Sequence, residues 1–382
     1  MDAGVIDEAV RANLELPVPK PSAGMGTYLA ERDRALGACS RKRANYERYL
    51  ALERRAVEVD YLPIRLDIEN VSRCNLRCTM CTVSDWTKGA RAADMSLAAF
   101  ERLLEEQYGL VEIKLQGIGE PLMQGGDFIE MVKAARRRHI WVRTTTNATL
   151  LHLKENFARL VDAGPNEIQV SIDGATQATY EGIRRGAKFD RVIVNCKQLN
   201  SYCSERGVTL TKMWTVVQAG NIGELEAIVD LAADAGFKSM VFSLSMSDWG
   251  LETWRERNDS CSAADNGLGY ERLQGLVARG AKLGVDVTYW QVTERYSSAY
   301  PTRLCPWPFE RAYIASDLRV VPCCYVGNPD VLQIGEQMSE ERSFADIWFG
   351  EDFASFRRQH LNGDVPAVCR NCYEDSPASS RR

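Results

Sequence analysis

The stretch that most constrains this chain is Cys74-Asn-Leu-Arg-Cys78-Thr-Met-Cys81, a short segment with three cysteines. It follows a strand-like run, Pro63 to Asn70, so we expect the cysteine loop at the carboxyl end of a strand. Thiolates are the ligands that iron–sulfur clusters prefer, and three of them would leave one iron of a four-iron cluster open to a small molecule. A zinc knuckle or a set of inert buried thiols is the alternative interpretation.

The Cys-x3-Cys-x2-Cys spacing of this loop resembles the signature of radical S-adenosylmethionine (SAM) enzymes. The resemblance implies that SAM chelates the open iron of a [4Fe–4S] cluster through its amino and carboxylate groups. It also implies that one electron then cleaves SAM to methionine and a 5′-deoxyadenosyl radical, which abstracts hydrogen from an unactivated C–H bond. The protein would orient the cofactor and exclude water. A flavodoxin or ferredoxin is the reductant that the family implies.

Composition agrees with a cytoplasmic enzyme. The chain has 382 residues, of which 45% are hydrophobic, so it is long enough for a large core and a second, smaller domain. No apolar run approaches about 18 residues and no signal peptide is visible, so we expect no membrane partner. Twelve cysteines without a secretory signal favour metal ligation over disulfides. The net charge of −5 gives no reason to expect nucleic acid.

Strand-like and helical patterns alternate between about residues 61 and 295, which predicts an α/β fold with a parallel sheet. The predicted strands are Ile64 to Glu69, Val111 to Gln116, Ile140 to Thr145, Glu167 to Ile172, Thr209 to Val217 and Ser239 to Leu244. Six such units fit the partial (βα)6 barrel that the resemblance implies, with the active site at the carboxyl ends of the strands. We divide the chain into an N-terminal helical extension (1–60), the barrel (61–295) and a C-terminal cysteine-rich domain (296–382).

The segment Gln116-Gly-Ile-Gly-Glu-Pro-Leu122 follows the second predicted strand and resembles the Gly-Gly-Glu-Pro motif of the family, with Ile118 replacing the first of its paired glycines. The resemblance implies that this segment binds the SAM amino group, with Gly117, Gly119 and Glu120 as the cofactor-binding residues. Glycine permits close backbone approach to a ligand, and a carboxylate accepts hydrogen bonds from an ammonium group. An ordinary turn is the alternative.

The third and fourth strands end in Thr145-Thr-Asn-Ala148 and Ser171-Ile-Asp-Gly174. The family places SAM contacts at both points, which match Asn147, Ser171 and Asp173. Turn and helix-capping chemistry is the alternative, because these residue types favour such positions in any protein. Farther on, Gly182-Ile-Arg-Arg-Gly186 resembles a family segment whose arginine reaches the SAM carboxylate, with Arg184 as the matching residue.

The C-terminal region resembles the SPASM or twitch extension of radical SAM enzymes, which binds auxiliary iron–sulfur clusters. The segment 312–322 reads as a β-hairpin that turns at Ser316-Asp317. We expect one auxiliary [4Fe–4S] cluster, bound by Cys305, Cys369, Cys372 and one of the adjacent pair Cys323 and Cys324. A zinc ribbon is the alternative, because Cys-x2-Cys is also a zinc half-site.

For the reaction, the sequence analysis favours a small-molecule substrate in natural-product biosynthesis. The expected reaction is epimerisation or oxidation of a hydroxyl-bearing carbon of a carbohydrate or aminocyclitol. Cys261, in a polar loop beyond the sixth strand, is the expected hydrogen donor for epimerisation, and a chance surface cysteine is the alternative. One alternative function is a radical SAM maturase of a ribosomal peptide. A zinc- or cluster-stabilised binding or electron-transfer protein is the non-enzyme alternative.

Overall fold

The computed structural model describes residues 16–52, 56–86, 93–259, 268–291 and 295–374. In these residues, nine strands form one sheet in the order β7-β6-β5-β4-β3-β2-β1-β8-β9. The strands are β1 (Arg65–Ile68), β2 (Glu112–Leu115), β3 (Trp141–Thr146), β4 (Glu167–Ser171), β5 (Thr211–Val216), β6 (Ser239–Ser243), β7 (Asp286–Trp290), β8 (Arg311–Ile314) and β9 (Val320–Val321). The order is linear, so the sheet is open rather than closed.

Helices connect the parallel strands and cover the apolar face of the sheet. They are α1 (Met25–Ala38), α2 (Ser40–Leu52), α3 (Leu97–Glu106), α4 (Gly126–Arg137), α5 (Asn156–Asp162), α6 (Gln177–Ile183), α7 (Phe189–Glu205), α8 (Leu225–Asp234), α9 (Glu252–Asp259), α10 (Tyr270–Leu283), α11 (Trp307–Glu310), α12 (Phe344–Trp348) and α13 (Glu351–Leu361). In α4, for example, Phe128, Met131, Val132 and Ala135 recur at helical spacing and are all buried. None of the helices described is both long and apolar enough to cross a membrane.

Strands β1 to β6 pair in parallel in the order of the chain, which confirms the predicted α/β sheet. The sheet is larger than predicted, because β7 adds to β6 and β8 adds to the other side of β1, both in parallel. The predicted hairpin forms between β8 and β9, with Tyr313 opposite Val321. The C-terminal region therefore continues the main sheet across the domain boundary placed at 295/296, and the boundaries themselves stay a prediction.

The N-terminal segment closes the end of the barrel where the strands begin. Pro17 O accepts a hydrogen bond from Tyr289 N (2.8 Å), and Ser22 N donates to the Glu167 carboxylate (3.0 Å). Helix α2 packs beside it, and its Lys42 donates to Arg138 O (3.0 Å) at the end of α4. Burial lowers the pKa of Lys42 to about 8.

The inner face of the sheet is polar, and its charged side chains lie in two layers. The lower layer, near the start of the strands, is a network of ion pairs. Its pairs are Arg65–Glu112 (3.2 Å), Arg65–Glu310 (3.2 Å), Arg143–Glu112 (2.7 Å), Lys212–Glu167 (2.9 Å) and Arg311–Glu310 (2.6 Å). Each of these charges has a partner of opposite sign, as buried charges require. The upper layer, Asp67 on β1 and Lys114 on β2, faces the cavities described next.

Candidate functional site

The cysteine loop 74–81 lines a cavity of about 330 Å³ at the carboxyl ends of the strands, where the barrel rule places an active site. Two neighbouring segments hold the loop through its backbone. Arg77 N and Thr79 N donate to the carbonyls of Arg185 and Ile183 (2.9 Å each), and Glu120 N donates to Arg73 O (3.0 Å). The segments that resemble SAM-binding motifs therefore also fix the path of the cysteine loop.

The three thiols fit an iron–sulfur cluster by their chemistry. Burial raises the pKa of Cys74 and of Cys81 to about 12, and the neighbouring Cys78 thiol acts in the same direction on both. Leu76 N lies 3.4 Å from Cys74 Sγ, and Arg184 Nη1 lies 4.0 Å from Cys78 Sγ. Within the described residues, no three His, Cys, Asp or Glu side chains converge on the position of one metal ion. A four-iron cluster is larger than one ion, so more widely separated thiolates fit it.

Gly117 and Gly119 line this cavity, but the structure gives a different reason for glycine at both positions than approach to a ligand. A Cβ on Gly119 would lie 2.2 Å from Val71 O and 2.6 Å from Arg73 O. A Cβ on Gly117 would lie 2.1 Å from the Glu69 side chain. Both glycines therefore let the loop after β2 pack directly on the chain that leads into the cysteine loop. Their contact with SAM stays a prediction.

Glu120 lines the cavity and ties the loop after β2 to the end of β3. One carboxylate oxygen accepts from the Thr146 hydroxyl (2.7 Å) and the other from Asn147 N (2.8 Å). Burial raises the pKa of Glu120 to about 7, although these hydrogen bonds act in the opposite direction. Both oxygens therefore bind protein groups, and a contact of Glu120 with SAM stays a prediction.

Asn147 and Ser171 also line the cavity, as the sequence analysis predicted for the ends of β3 and β4. The Asn147 amide donates to the Asn75 side chain (3.0 Å) and lies 3.8 Å from Cys74 Sγ. The end of β3 is thereby joined to the cysteine loop.

Asp173 and Arg184 form a buried ion pair, with 2.7 Å between Asp173 Oδ2 and Arg184 Nη2. Arg184 lines the cavity, whereas Asp173 does not; it is fully buried and accepts from Val216 N (2.7 Å). Arg184 thus lines the cavity while Asp173, behind it, orients the guanidinium, and the contacts of both residues with SAM stay predictions.

The residues that line a second cavity of about 530 Å³ include four C-terminal cysteines: Cys305, Cys323, Cys369 and Cys372. Burial raises the pKa of Cys369 well above its ordinary value, and the nearby thiols of Cys323, Cys305 and Cys372 raise it further. Cys372 responds in the same way to Cys305 and Cys323. The structure therefore brings Cys323 into this group.

Cys324 differs from its neighbour Cys323. Cys324 is exposed, whereas Cys323 is half-buried, although both line the larger cavity. The charged neighbours of Cys324 include Asp67 and Lys114 of the upper layer, in addition to the Cys323 thiol. Cys324 lies in the turn that follows Cys323, which a hydrogen bond from Gly327 N to Cys323 O (3.0 Å) closes.

A loop after β6, residues 245–250, joins the two cysteine sites and was not identified from the sequence. The Trp249 indole nitrogen lies 3.4 Å from Met80 O in the cysteine loop, and Ser247 Oγ donates to Tyr325 O (2.9 Å) beside Cys324. Trp249 has φ of 55°, a conformation that bulky residues rarely adopt. The two cavities are neighbours, because several residues line both, among them Lys114, Trp214, Trp249, Trp290 and Tyr325. Cys261 lies outside the described residues, and its role stays a prediction.

Two family models match the chain. Residues 70–232 match the radical SAM superfamily, and residues 305–373 match SPASM, an iron–sulfur cluster-binding domain. The chain contains a radical SAM domain and a SPASM domain. Its cofactors are accordingly SAM, a SAM-binding [4Fe–4S] cluster and auxiliary iron–sulfur chemistry in the SPASM domain.

Curated proteins similar to this chain include maturases and a peptide cyclase. The mycofactocin maturase MftC of Mycolicibacterium smegmatis is 28% identical over 243 residues, which cover 59% of each chain. Across four such maturases the match covers 48% to 59% of the relative's length. The PqqA peptide cyclase of Methylorubrum populi is 25% identical over 317 residues, which cover 81% of this chain and 77% of the cyclase.

A solved structure supports the fold of the radical SAM protein. Streptococcus suis SuiB bound to its precursor peptide SuiA superimposes with a TM-score of 0.60. The superposition covers 82% of this chain and 70% of SuiB, at 16% sequence identity. At that identity the likeness concerns the fold alone.

Proposed function

We propose that this radical SAM enzyme is a maturase that modifies a peptide substrate. The observation that carries the proposal is the match to PqqA peptide cyclase, which extends over 81% of this chain and 77% of the cyclase. The expectation of a carbohydrate-type substrate has no comparable support among the relatives described above. The peptide alternative of the sequence analysis therefore replaces it as the main hypothesis.

We assign the SAM-binding cluster to Cys74, Cys78 and Cys81, with Arg184 directed at the SAM carboxylate. When bound, the cluster and SAM together supply a one-electron cleavage that generates a hydrogen-abstracting radical. The residues of the chain orient and shield this chemistry. Asp173 holds the Arg184 guanidinium in place, and the loop after β6 covers the cavity through the contact of Trp249 with Met80 O.

We assign the auxiliary cluster to Cys305, Cys323, Cys369 and Cys372, which leaves the Cys324 thiol free in the larger cavity. Four thiolates saturate a [4Fe–4S] cluster, so this site binds no substrate directly and serves electron transfer. The reacting part of the substrate would bind between the two cysteine sites, against the residues that line both cavities. A flavodoxin or ferredoxin remains the expected reductant.

The test is anaerobic reconstitution followed by incubation with SAM, dithionite and synthetic peptides encoded by short reading frames beside the gene. The account predicts that one such peptide increases formation of 5′-deoxyadenosine and itself changes mass. The matched comparison is a panel of sugars and aminocyclitols under the same conditions. Conversion of a sugar or aminocyclitol, with no peptide altered, would refute the proposed function in favour of the small-molecule reaction.

A further inference from the structure

The upper layer of the barrel interior contains two charges without partners. Asp67 on β1 and Lys114 on β2 lie opposite each other in the register of the two strands. Among the described residues, neither side chain makes a hydrogen bond or an ion pair. In the lower layer, by contrast, the charged side chains pair with one another, as with Lys212 and Glu167 at 2.9 Å.

Burial makes this arrangement costly unless something else binds there. The Asp67 side chain is 5% exposed and lines the larger cavity, while Lys114 lines both cavities. Desolvation raises the pKa of Asp67, and the opposing attraction of Lys114 and Arg311 is exerted at a distance, without contact. Asp67 is buried and Lys114 is half-buried, and a desolvated charge without a hydrogen-bonding partner is unfavourable, so a polar group bound in the cavity would be stabilised by this pair.

The pair lies between the two cysteine sites. A substrate has to bind there if a radical formed at the first site, Cys74 to Cys81, is to reach it. Lys114 and Trp214 are among the residues shared by both cavities. Trp214 and Trp290 approach each other with 6.4 Å between ring centroids and form an apolar boundary of the same space. A polar pair beside apolar rings is the usual composition of a binding pocket, in which a few polar groups fix orientation.

We propose that Asp67 and Lys114 form a substrate subsite that binds one amide group of a peptide, a proposal that rests on the proposed function. The Asp67 carboxylate accepts a hydrogen bond from the amide N–H, and the Lys114 ammonium donates one to the amide carbonyl. The two charges cancel, so the pair matches a neutral dipolar group better than an anion or a cation. Every peptide carries such a group, with its donor and acceptor on neighbouring atoms.

The test is isothermal titration calorimetry on the anaerobically reconstituted protein loaded with SAM. The probes are N-acetyl amino acid N-methylamides, with each of the two amides of the best binder replaced in turn by an ester, which lacks the N–H. In the wild type, one ester should bind about tenfold more weakly, the value for one hydrogen bond to a charged group. In Asp67→Ala that amide and its ester should bind equally, whereas Lys114→Met should weaken both and keep the difference between them.

Two further variants serve as controls. Lys197→Met removes a surface ammonium group whose ion pair with Asp234 (2.8 Å) lies on the exposed side of α7, and it should bind every probe as the wild type does. Asp67→Asn keeps an acceptor oxygen and should retain part of the preference for the amide over the ester.

The outcomes separate this proposal from the proposed function. If the wild type binds amide and ester probes equally, the subsite proposal is wrong while the peptide function stands. If only probes with a charged side chain bind, through Asp67 or Lys114, the pair recognises a charge instead and the proposal is also wrong. If sugars or aminocyclitols bind and no capped amino acid does, the proposed function itself fails.

Discussion

At the scale of single residues, the glycines of the loop after β2 fix the distance between that loop and the cysteine loop. The backbone of residues 71–73 lies so close to Gly119 that no side chain fits between them. The sequence motif marks the glycine but does not reveal this contact, because the backbone that packs on Gly119 lies nearly 50 residues earlier in the chain.

Gly119→Ala is therefore expected to displace the start of the cysteine loop. Overpacking of this kind costs about 1–3 kcal/mol, and iron content after reconstitution should fall with it. Gly223→Ala is the control, because a Cβ there meets no atom within 4 Å. Equal unfolding free energy and iron content in the Gly119→Ala and Gly223→Ala proteins would show that the loop accommodates a methyl group at position 119 without displacement.

Asp173→Asn is expected to leave the Arg184 guanidinium buried with its charge uncompensated. Breaking a buried ion pair costs about 3–5 kcal/mol, which chemical denaturation can measure. Asp234→Asn breaks an ion pair whose two side chains are 48% and 65% exposed, and it should cost at most about 1 kcal/mol. A cost of the same size for both variants would contradict the role given to Asp173.

At the scale of elements, the N-terminal helices attach to the barrel through a few buried polar contacts. Lys42 of α2 is 4% exposed, and its ammonium donates to Arg138 O at the end of α4. A cation at a helix C-terminus is favourable, but burial of this one lowers its pKa.

This burial predicts a specific dependence of stability on pH. The pKa of Lys42 is about 8 in the folded chain and 10.5 when it is exposed. Between these values the unfolded chain binds the proton that the folded chain has released, so stability rises with pH. Across this pH window, the free energy of unfolding of the wild type should rise by up to about 3 kcal/mol relative to that of Lys42→Met. Urea denaturation at a series of pH values measures both. If the difference in unfolding free energy between the two proteins did not change with pH, Lys42 would keep its ordinary pKa in the folded chain.

Local patterns predicted β1 to β6 and the helices between them, because each strand lies next to its successor in the chain. They could not predict that β8 joins the main sheet. Its partner in the register is β1, with Arg311 opposite Arg65, and no local pattern records a pairing across such a distance. The same holds for Asp67 and Lys114, whose lack of partners becomes visible only when the sheet is assembled.

At the scale of the whole molecule, the cysteine motifs predicted two groups of thiols, and the structure places them in two neighbouring cavities that share lining residues. The sequence left Cys323 and Cys324 equivalent. The structure separates them by burial, because Cys323 is half-buried near Cys305 whereas Cys324 is exposed.

Cys323→Ala should therefore lose the auxiliary cluster, about four irons per chain, whereas Cys324→Ala should retain it. Iron and sulfide analysis with electron paramagnetic resonance of the reduced proteins distinguishes the two. The reverse pattern would show that Cys324 is the ligand instead of Cys323. One zinc per chain at this site in the wild type would show that the site is a zinc ribbon and not an auxiliary cluster.

The central claim is that Cys74, Cys78 and Cys81 hold the SAM-binding cluster and that a second cluster lies apart from it. The most direct measurement is iron content and 5′-deoxyadenosine formation, after anaerobic reconstitution, for the wild type and for the variant with all three residues changed to alanine. The account predicts about eight irons and SAM cleavage in the wild type, and about four irons with no cleavage in the variant. Cleavage of SAM by the triple variant would contradict it.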